Sequence, residues 1–189
     1  ERINPSAAVF DENKLYWING KYIAKLDSVS VWQKVSDWLR AKGVKLDPSE
    51  TDQFKLLIDL QQSRSKSMLE LKESLMFYFY HPEDYEEKGV NKYFKKEGAG
   101  STLKQLVHQL ELNNQALFSN IDALEKFIRT FAEEISVSAA KVIHPLRLAL
   151  TGNTISPGIF ELMFILGHEK TIERLHNAIK FIELKYNDQ

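Results

Sequence analysis

The sequence predicts an all-α fold in two helical subdomains, and three observations carry that expectation. Apolar residues recur at intervals of three and four from Val31 to Ile182. No segment keeps the strict alternation of a half-buried strand. The apolar runs are also punctuated by residues that open and close helices: Asp and Ser at expected starts, Gly and Pro at expected stops.

Taken in order, residues 1–28 begin as a loop. Asp11 then caps a short helix carrying Leu15, Ile18 and Tyr22, which Gly20 weakens. Its aromatic residues Phe10, Tyr16, Trp17 and Tyr22 read as packing residues. From Ser28, the spacing of Val31, Val35, Trp38 and Leu39 predicts a helix that Gly43 ends as the first residue past its C-cap. Asp47-Pro48 opens the next helix, with Phe54, Leu57 and Ile58 on one face. A third runs from about Ser65 through Met68, Leu71, Leu75 and Phe79 to His81-Pro82, because a residue before proline is pushed out of the helical region. The consecutive aromatics Phe77 to Tyr80 read as core and neighbour contacts rather than a base-stacking platform.

An acidic run at Glu83, Asp84, Glu86 and Glu87 and a basic one at Lys92, Lys95 and Lys96 read as solvated faces. Residues 98–102, Gly-Ala-Gly-Ser-Thr, read as a flexible connection, and the boundary between subdomains is placed there. Beyond it, Leu103, Leu106, Val107 and Leu110 mark one helix, and Ile121, Leu124, Ile128 and Phe131 mark another. Ala139–Leu150 is helical despite Pro145. Thr151-Gly152-Asn153 breaks that helix, and Ser156-Pro157 opens a new one that is apolar nearly all round, hence buried, as far as Gly167. The last helix runs from about His168 to Tyr186. The expected organisation is therefore residues 1–28 as the tail of a neighbouring domain, 29–97 as the first helical subdomain and 98–189 as the second.

Length and composition narrow the function classes. A chain of 189 residues, 43% hydrophobic and 27% charged, suits a soluble globular protein. No apolar run approaches the roughly 20 residues that span a bilayer, so no membrane role is expected. The absence of cysteine excludes disulfides and thiol chemistry and accords with a cytoplasmic location. The chain begins at Glu1 without Met or a signal-like segment, so it reads as a piece of something longer. A net charge of −1 means that any nucleic-acid site is a local patch rather than a basic surface.

Catalytic constellations are missing. The five histidines, His81, His108, His144, His168 and His176, lack metal-ligand spacing. Glu133-Glu134 are adjacent on a helix and so point apart. There is no nucleophile elbow, phosphate loop or dinucleotide fingerprint. No catalytic residue, metal ligand or cofactor is expected within this chain.

What the chain does carry is resemblance. PLRLALTGNTISPGIFELMFILGHEKTIERL, Pro145–Leu175, resembles the C-terminal segment of bacterial-type glutamyl-tRNA synthetases, where a PLR-x-ALTG run precedes a [ST]-PG step and a leucine-rich helix ending in LG. FDENKLYWINGKYI, Phe10–Ile23, resembles the same family's stretch just after its catalytic part. Between them the similarity rests on helix lengths, apolar positions and the run from Arg64 to Leu71. The family's ATP-site signatures are absent.

The resemblance implies a class I ligase that joins glutamate to tRNA(Glu) using ATP and magnesium, and acts as a monomer. This stretch supplies its anticodon-binding region, preceded at 1–28 by the end of a stem-contact domain. The implied partner is the anticodon loop. Arg64 corresponds to an arginine that reads the first anticodon base, and a guanidinium offers forked donors that suit base acceptors. Arg147, Ser156, Pro157, Gly158 and Ile159 correspond to positions that hold the other two bases through a hydroxyl, exposed backbone groups and an apolar surface. Departures from the family pattern are mild: Ser156 for Thr, Ile159 for Leu, and His144 where Gln often precedes the proline. Without the resemblance, Arg64 reads as a surface ion-pair residue and Arg147 as a helix-packing one. The competing function is a helical protein-interaction module without RNA affinity. Within the family, the competitor is an enzyme that also accepts tRNA(Gln).

Overall fold

The computed structural model describes residues 10–45, 51–113, 115–156 and 158–186, and every described secondary-structure element is helical. The expected start at Asp47-Pro48 lies outside the described residues. The chain falls into two compact units, Glu1–Leu75 and Met76–Gln189.

Among its described residues the first unit holds four helices: α1 (Glu12–Ile23), α2 (Ser28–Ala41), α3 (Thr51–Gln62) and α4 (Met68–Ser74). Local chemistry sets their ends. The Asp11 carboxylate accepts from Lys14 N, and that of Asp27 accepts from Ser30 N. Past α2, Gly43 takes φ +80 while Val44 N donates to Leu39 O and Gly43 N to Arg40 O, the Schellman pairing that the glycine predicts. The core joins Val31, Val35 and Leu39 of α2 to Phe54, Leu57 and Ile58 of α3 and to Leu71 and Leu75, all buried. The buried Gln62 amide donates to Ile23 O and Leu26 O at 2.7 and 2.8 Å, tying the end of α1 to α3. Gly20 is not merely a weak point: a Cβ there would sit 3.4 Å from Lys66 Cα and Ser65 O. The α1 aromatics differ from expectation more sharply, since Phe10, Tyr16, Trp17 and Tyr22 are all exposed.

The expected helix from Ser65 to Tyr80 is two helices, α4 and α5 (Met76–Phe79), with Ser67 capping α4 and Leu75 lying between them. The apolar spacing continues through the break because both pieces bury that face, Leu71 and Leu75 on one side and Tyr78 on the other.

The second unit continues with α6 (Glu87–Gly89), a π turn at Val90–Phe94, α7 (Ala99–Leu112), a 3₁₀ turn at Gln115–Ser119, α8 (Ile121–Glu134), α9 (Ala139–Thr151) and α10 (Ile159–Tyr186). Helix α10 packs against α7, α8 and α9 and is broken at Gly167, whose φ of 71 and ψ of 179 divide it near the expected point. Leu103, Leu106 and Leu110 of α7, Leu124 and Ile128 of α8, and Val142 and Leu146 of α9 meet Leu162, Met163 and Leu175 of α10 in the core.

Residues 98–102 are not a flexible connection. Gly98 adopts φ +78, and α7 starts at the next residue, the buried Ala99. The division into compact units accordingly falls at Leu75, earlier than the boundary read from composition, because the 82–97 stretch packs within the second unit. Gly89 shows this: a Cβ there would meet Leu148 Cδ1 and Thr154 Cγ2 at 2.8 Å.

Candidate nucleic-acid interface

The corner between α9 and α10 is assembled from both sides. Thr151 ends α9, and Gly152 turns the chain with φ +75, a conformation that glycine adopts without the Cβ penalty. The Thr151 hydroxyl donates to Arg147 O at 2.9 Å and accepts from Asn153 N at 3.2 Å. At the other end, Leu162 N donates to Gly158 O, so Gly158 opens the α10 ladder. A Cβ on Gly158 would run into the Glu161 carboxylate.

Three contacts from distant sequence hold this corner. Glu86 N donates to Gly152 O at 2.7 Å, and the Glu86 carboxylate in return accepts from Thr154 N at 2.7 Å and Thr154 Oγ1 at 2.6 Å. These two donors from Thr154, the hydroxyl above all, hold the Glu86 carboxyl below its ordinary range. Arg174, almost fully buried, donates through Nη1 to Leu150 O at 2.6 Å and through Nη2 to Tyr78 O at 3.3 Å. Burial lowers its pKa to about 10, which leaves it charged at neutral pH. Beside it, burial pushes the Tyr85 phenol up to about 12, opposed by the Arg174 charge. The acidic run therefore is not simply a solvated face, since Glu86 and the backbone around it clamp the corner.

Arg147 and Ser156 meet at that corner. Arg147 Nε donates to Ser156 Oγ at 3.1 Å, and both residues are half-buried. The contact aims the guanidinium and, among the described residues, leaves both Nη groups for another acceptor. Pro157 lies outside the described residues. Gly158 is half-buried. Ile159, at the start of the helix expected to be buried, is 3% exposed and belongs to the core, whereas Ile155 is an aliphatic side chain that faces solvent here, at 87%. At the first turn of a helix whose apolar residues pack against α7, α8 and α9, Ile159 follows the buried stripe; Ile155 precedes the helix and is free of it.

Arg64 lies in the first unit, in the turn between α3 and α4. Backbone bonds from Arg64 N and Ser65 N to Gln61 O shape that turn, and Asn19 Nδ2 donates to Lys66 O at 2.7 Å. The Arg64 side chain is exposed and, among the described residues, enters no ion pair. It borders a groove of about 660 Å³ lined also by Tyr16, Trp17, Lys21 and Lys66. Lys21 Nζ stands 5.6 Å from the centre of the Trp17 ring. The sequence assigned these aromatics to packing; only the close approach at Gly20, which no periodicity encodes, brings them beside Arg64.

His144 stacks flat on Tyr93, with ring centroids 4.9 Å apart and planes 10° apart. Burial, then the charges of Arg147 and Lys92, lower its pKa, so the imidazole is neutral at physiological pH. Among the described residues no three His, Asp or Glu side chains group as metal ligands, and no helix is long and apolar enough to cross a membrane.

The family model described as an anticodon binding domain matches residues 30–179. The chain is 38% identical over 183 residues to glutamate–tRNA ligase 1 of Caldanaerobacter subterraneus subsp. tengcongensis, covering 97% of this chain and 37% of that protein. It is 36% identical over 184 residues to glutamate–tRNA ligase 2 of Thermoanaerobacter pseudethanolicus, covering 97% of this chain and 38% of that protein. The chain thus spans little more than a third of the length of these relatives. In fold it is similar to a crystal structure of a glutamate tRNA ligase from Elizabethkingia meningosepticum in complex with its amino acid, with a TM-score of 0.82 at 23% identity over 95% of this chain and 34% of that one.

Proposed function

Because this chain belongs to the anticodon binding domain family, we propose that it recognises the anticodon loop of tRNA(Glu) as part of a longer glutamate–tRNA ligase. The observation that carries the reading is the Arg147–Ser156 hydrogen bond, which joins two residues of the nominated set at one turn. There the guanidinium offers donors to base acceptors, the turn around Gly158 offers backbone groups, the buried Ile159 anchors the start of α10, and Ile155 supplies exposed apolar surface. Arg64 presents a second guanidinium to an anticodon base, and its exposed side chain, which enters no ion pair among the described residues, supports that role over a structural one.

In this reading the parent ligase is a class I enzyme acting as a monomer in the cytoplasm. It activates glutamate with ATP and magnesium in a part outside this chain, which is inactive alone. Residues 1–28 close a stem-contact domain, and the exposed α1 aromatics support a neighbour there; the rest of the chain is the anticodon-binding region, in two helical subdomains. Arginine at 64 favours tRNA(Glu) over a dual tRNA(Glu) and tRNA(Gln) specificity.

The test is a titration of the chain with the tRNA(Glu) anticodon stem–loop at rising salt. Affinity that falls steeply with salt, and that drops when anticodon bases are changed, supports the reading. A helical protein-interaction module gives neither response.

A further inference from the structure

A second concavity in the Met76–Gln189 unit remains unused by the reading above. It is a groove of about 650 Å³, within the roughly 300–1,000 Å³ of small-ligand sites. Its floor is apolar, with Ala140 and Pro145 of α9, and its wall is the Tyr93–His144 stack. Lys96 and Lys141 reach it from the rim, both exposed, Lys92 Nζ lies 5.3 Å from the centre of the Tyr93 ring, and among the described residues the lining holds one carboxylate, Glu97. The backbone that presents Lys92 and Tyr93 is the π turn at Val90–Phe94, in which Lys95 N donates to Val90 O at 3.0 Å. Such turns occur frequently at functional sites.

We propose that this groove is a nucleotide subsite distinct from the Arg147–Ser156 corner: the Tyr93–His144 stack takes one unstacked base, and Lys96 and Lys141 hold the adjoining phosphates. Apolar floor, flat aromatic wall and cationic rim are the combination that binds single-stranded nucleic acid without reading its sequence. His144 and Arg147 lie three residues apart on one face of α9, a rise of about 4.5 Å. The proposed occupant is therefore a loop nucleotide other than those met at the corner, held by the same helix. The inference rests on the anticodon-loop reading, and adds affinity to it rather than selectivity.

The experiment measures binding of the 189-residue chain to a fluorescently labelled tRNA(Glu) anticodon stem–loop and to loops with altered anticodons. Tyr93→Ala is expected to weaken binding roughly ten-fold, equally for cognate and altered loops, while Tyr93→Phe stays within about two-fold because the ring remains. The double variant Lys96→Gln, Lys141→Gln, made at exposed positions, is expected to lower the salt slope by about 2. An abasic substitution in the loop outside the anticodon should reproduce the Tyr93→Ala loss and add nothing to it. Wild-type affinity and salt slope in both Tyr93→Ala and the double lysine variant, with anticodon discrimination intact, overturn the subsite and leave the anticodon reading standing. Failure of the wild-type chain to bind the stem–loop overturns both.

Discussion

The corner between α9 and α10 and the turn that carries Arg64 present the same functional group by opposite means. At the corner, Arg147 is braced by Ser156, and the backbone beneath it is held by Arg174 and Glu86, from segments far away in sequence. At the Arg64 turn, the brace is mostly local, with two backbone bonds to Gln61 O and one side-chain bond from Asn19 to Lys66 O. The difference teaches that a guanidinium can be placed either by a network that is part of the core or by a turn that the core merely anchors. Substitutions should therefore separate stability from recognition in one region and not in the other.

The largest expected effect is at Arg174. Replacing it with Met removes two charge-assisted hydrogen bonds, to the carbonyls of Leu150 and Tyr78, at a cost of about 3 kcal/mol by denaturant unfolding. Gly152→Ala comes next, because a Cβ would have to accept φ +75 and lie 2.9 Å from Asp84 O. We expect about 2 kcal/mol, read in the same assay.

A smaller, pH-dependent effect belongs to Glu86. Its carboxyl is held below the ordinary range in the folded chain, so in the window between the folded and unfolded values the unfolded state binds more protons. The stability it contributes is present above the ordinary carboxylate value and is lost as pH falls through the folded one. The difference in melting temperature between wild type and Glu86→Gln should shrink as the solution is acidified through that window. The smallest stability effect is Arg64→Gln, expected within about 0.5 kcal/mol because the side chain is exposed and enters no ion pair among the described residues. That variant should instead relax base discrimination by about 1–3 kcal/mol.

The same contrast explains what could be read in advance. The Asp11 cap, the Gly43 and Gly152 stops and the break at Gly167 were legible because each is set by residues within a few positions of it. Core positions such as Leu57, Leu106 and Ile128 were legible through their spacing. Glu86 and Arg174 were not, since their partners lie 68 and 24 residues away and nothing in the acidic run or in the α10 pattern distinguishes them. Residues 98–102 were misread because two glycines and two small polar residues imitate a linker, whereas Gly98 supplies a positive φ and Ala99 is core. The burial of Ile159 was legible, because it opens a helix that is apolar nearly all round, whereas the exposure of Ile155 was not singled out. In the site itself, the residue types at Arg147 and Ser156 were visible, but their hydrogen bond depended on how the corner closes.

The most direct test of the central claim is a comparison of Arg64→Gln, Arg147→Gln and the double variant for binding to stem–loops altered at each anticodon position. The account predicts that the two single variants lose discrimination at different positions, and that the double variant shows the sum, since the two guanidiniums act separately. Full wild-type discrimination in both single variants would contradict it.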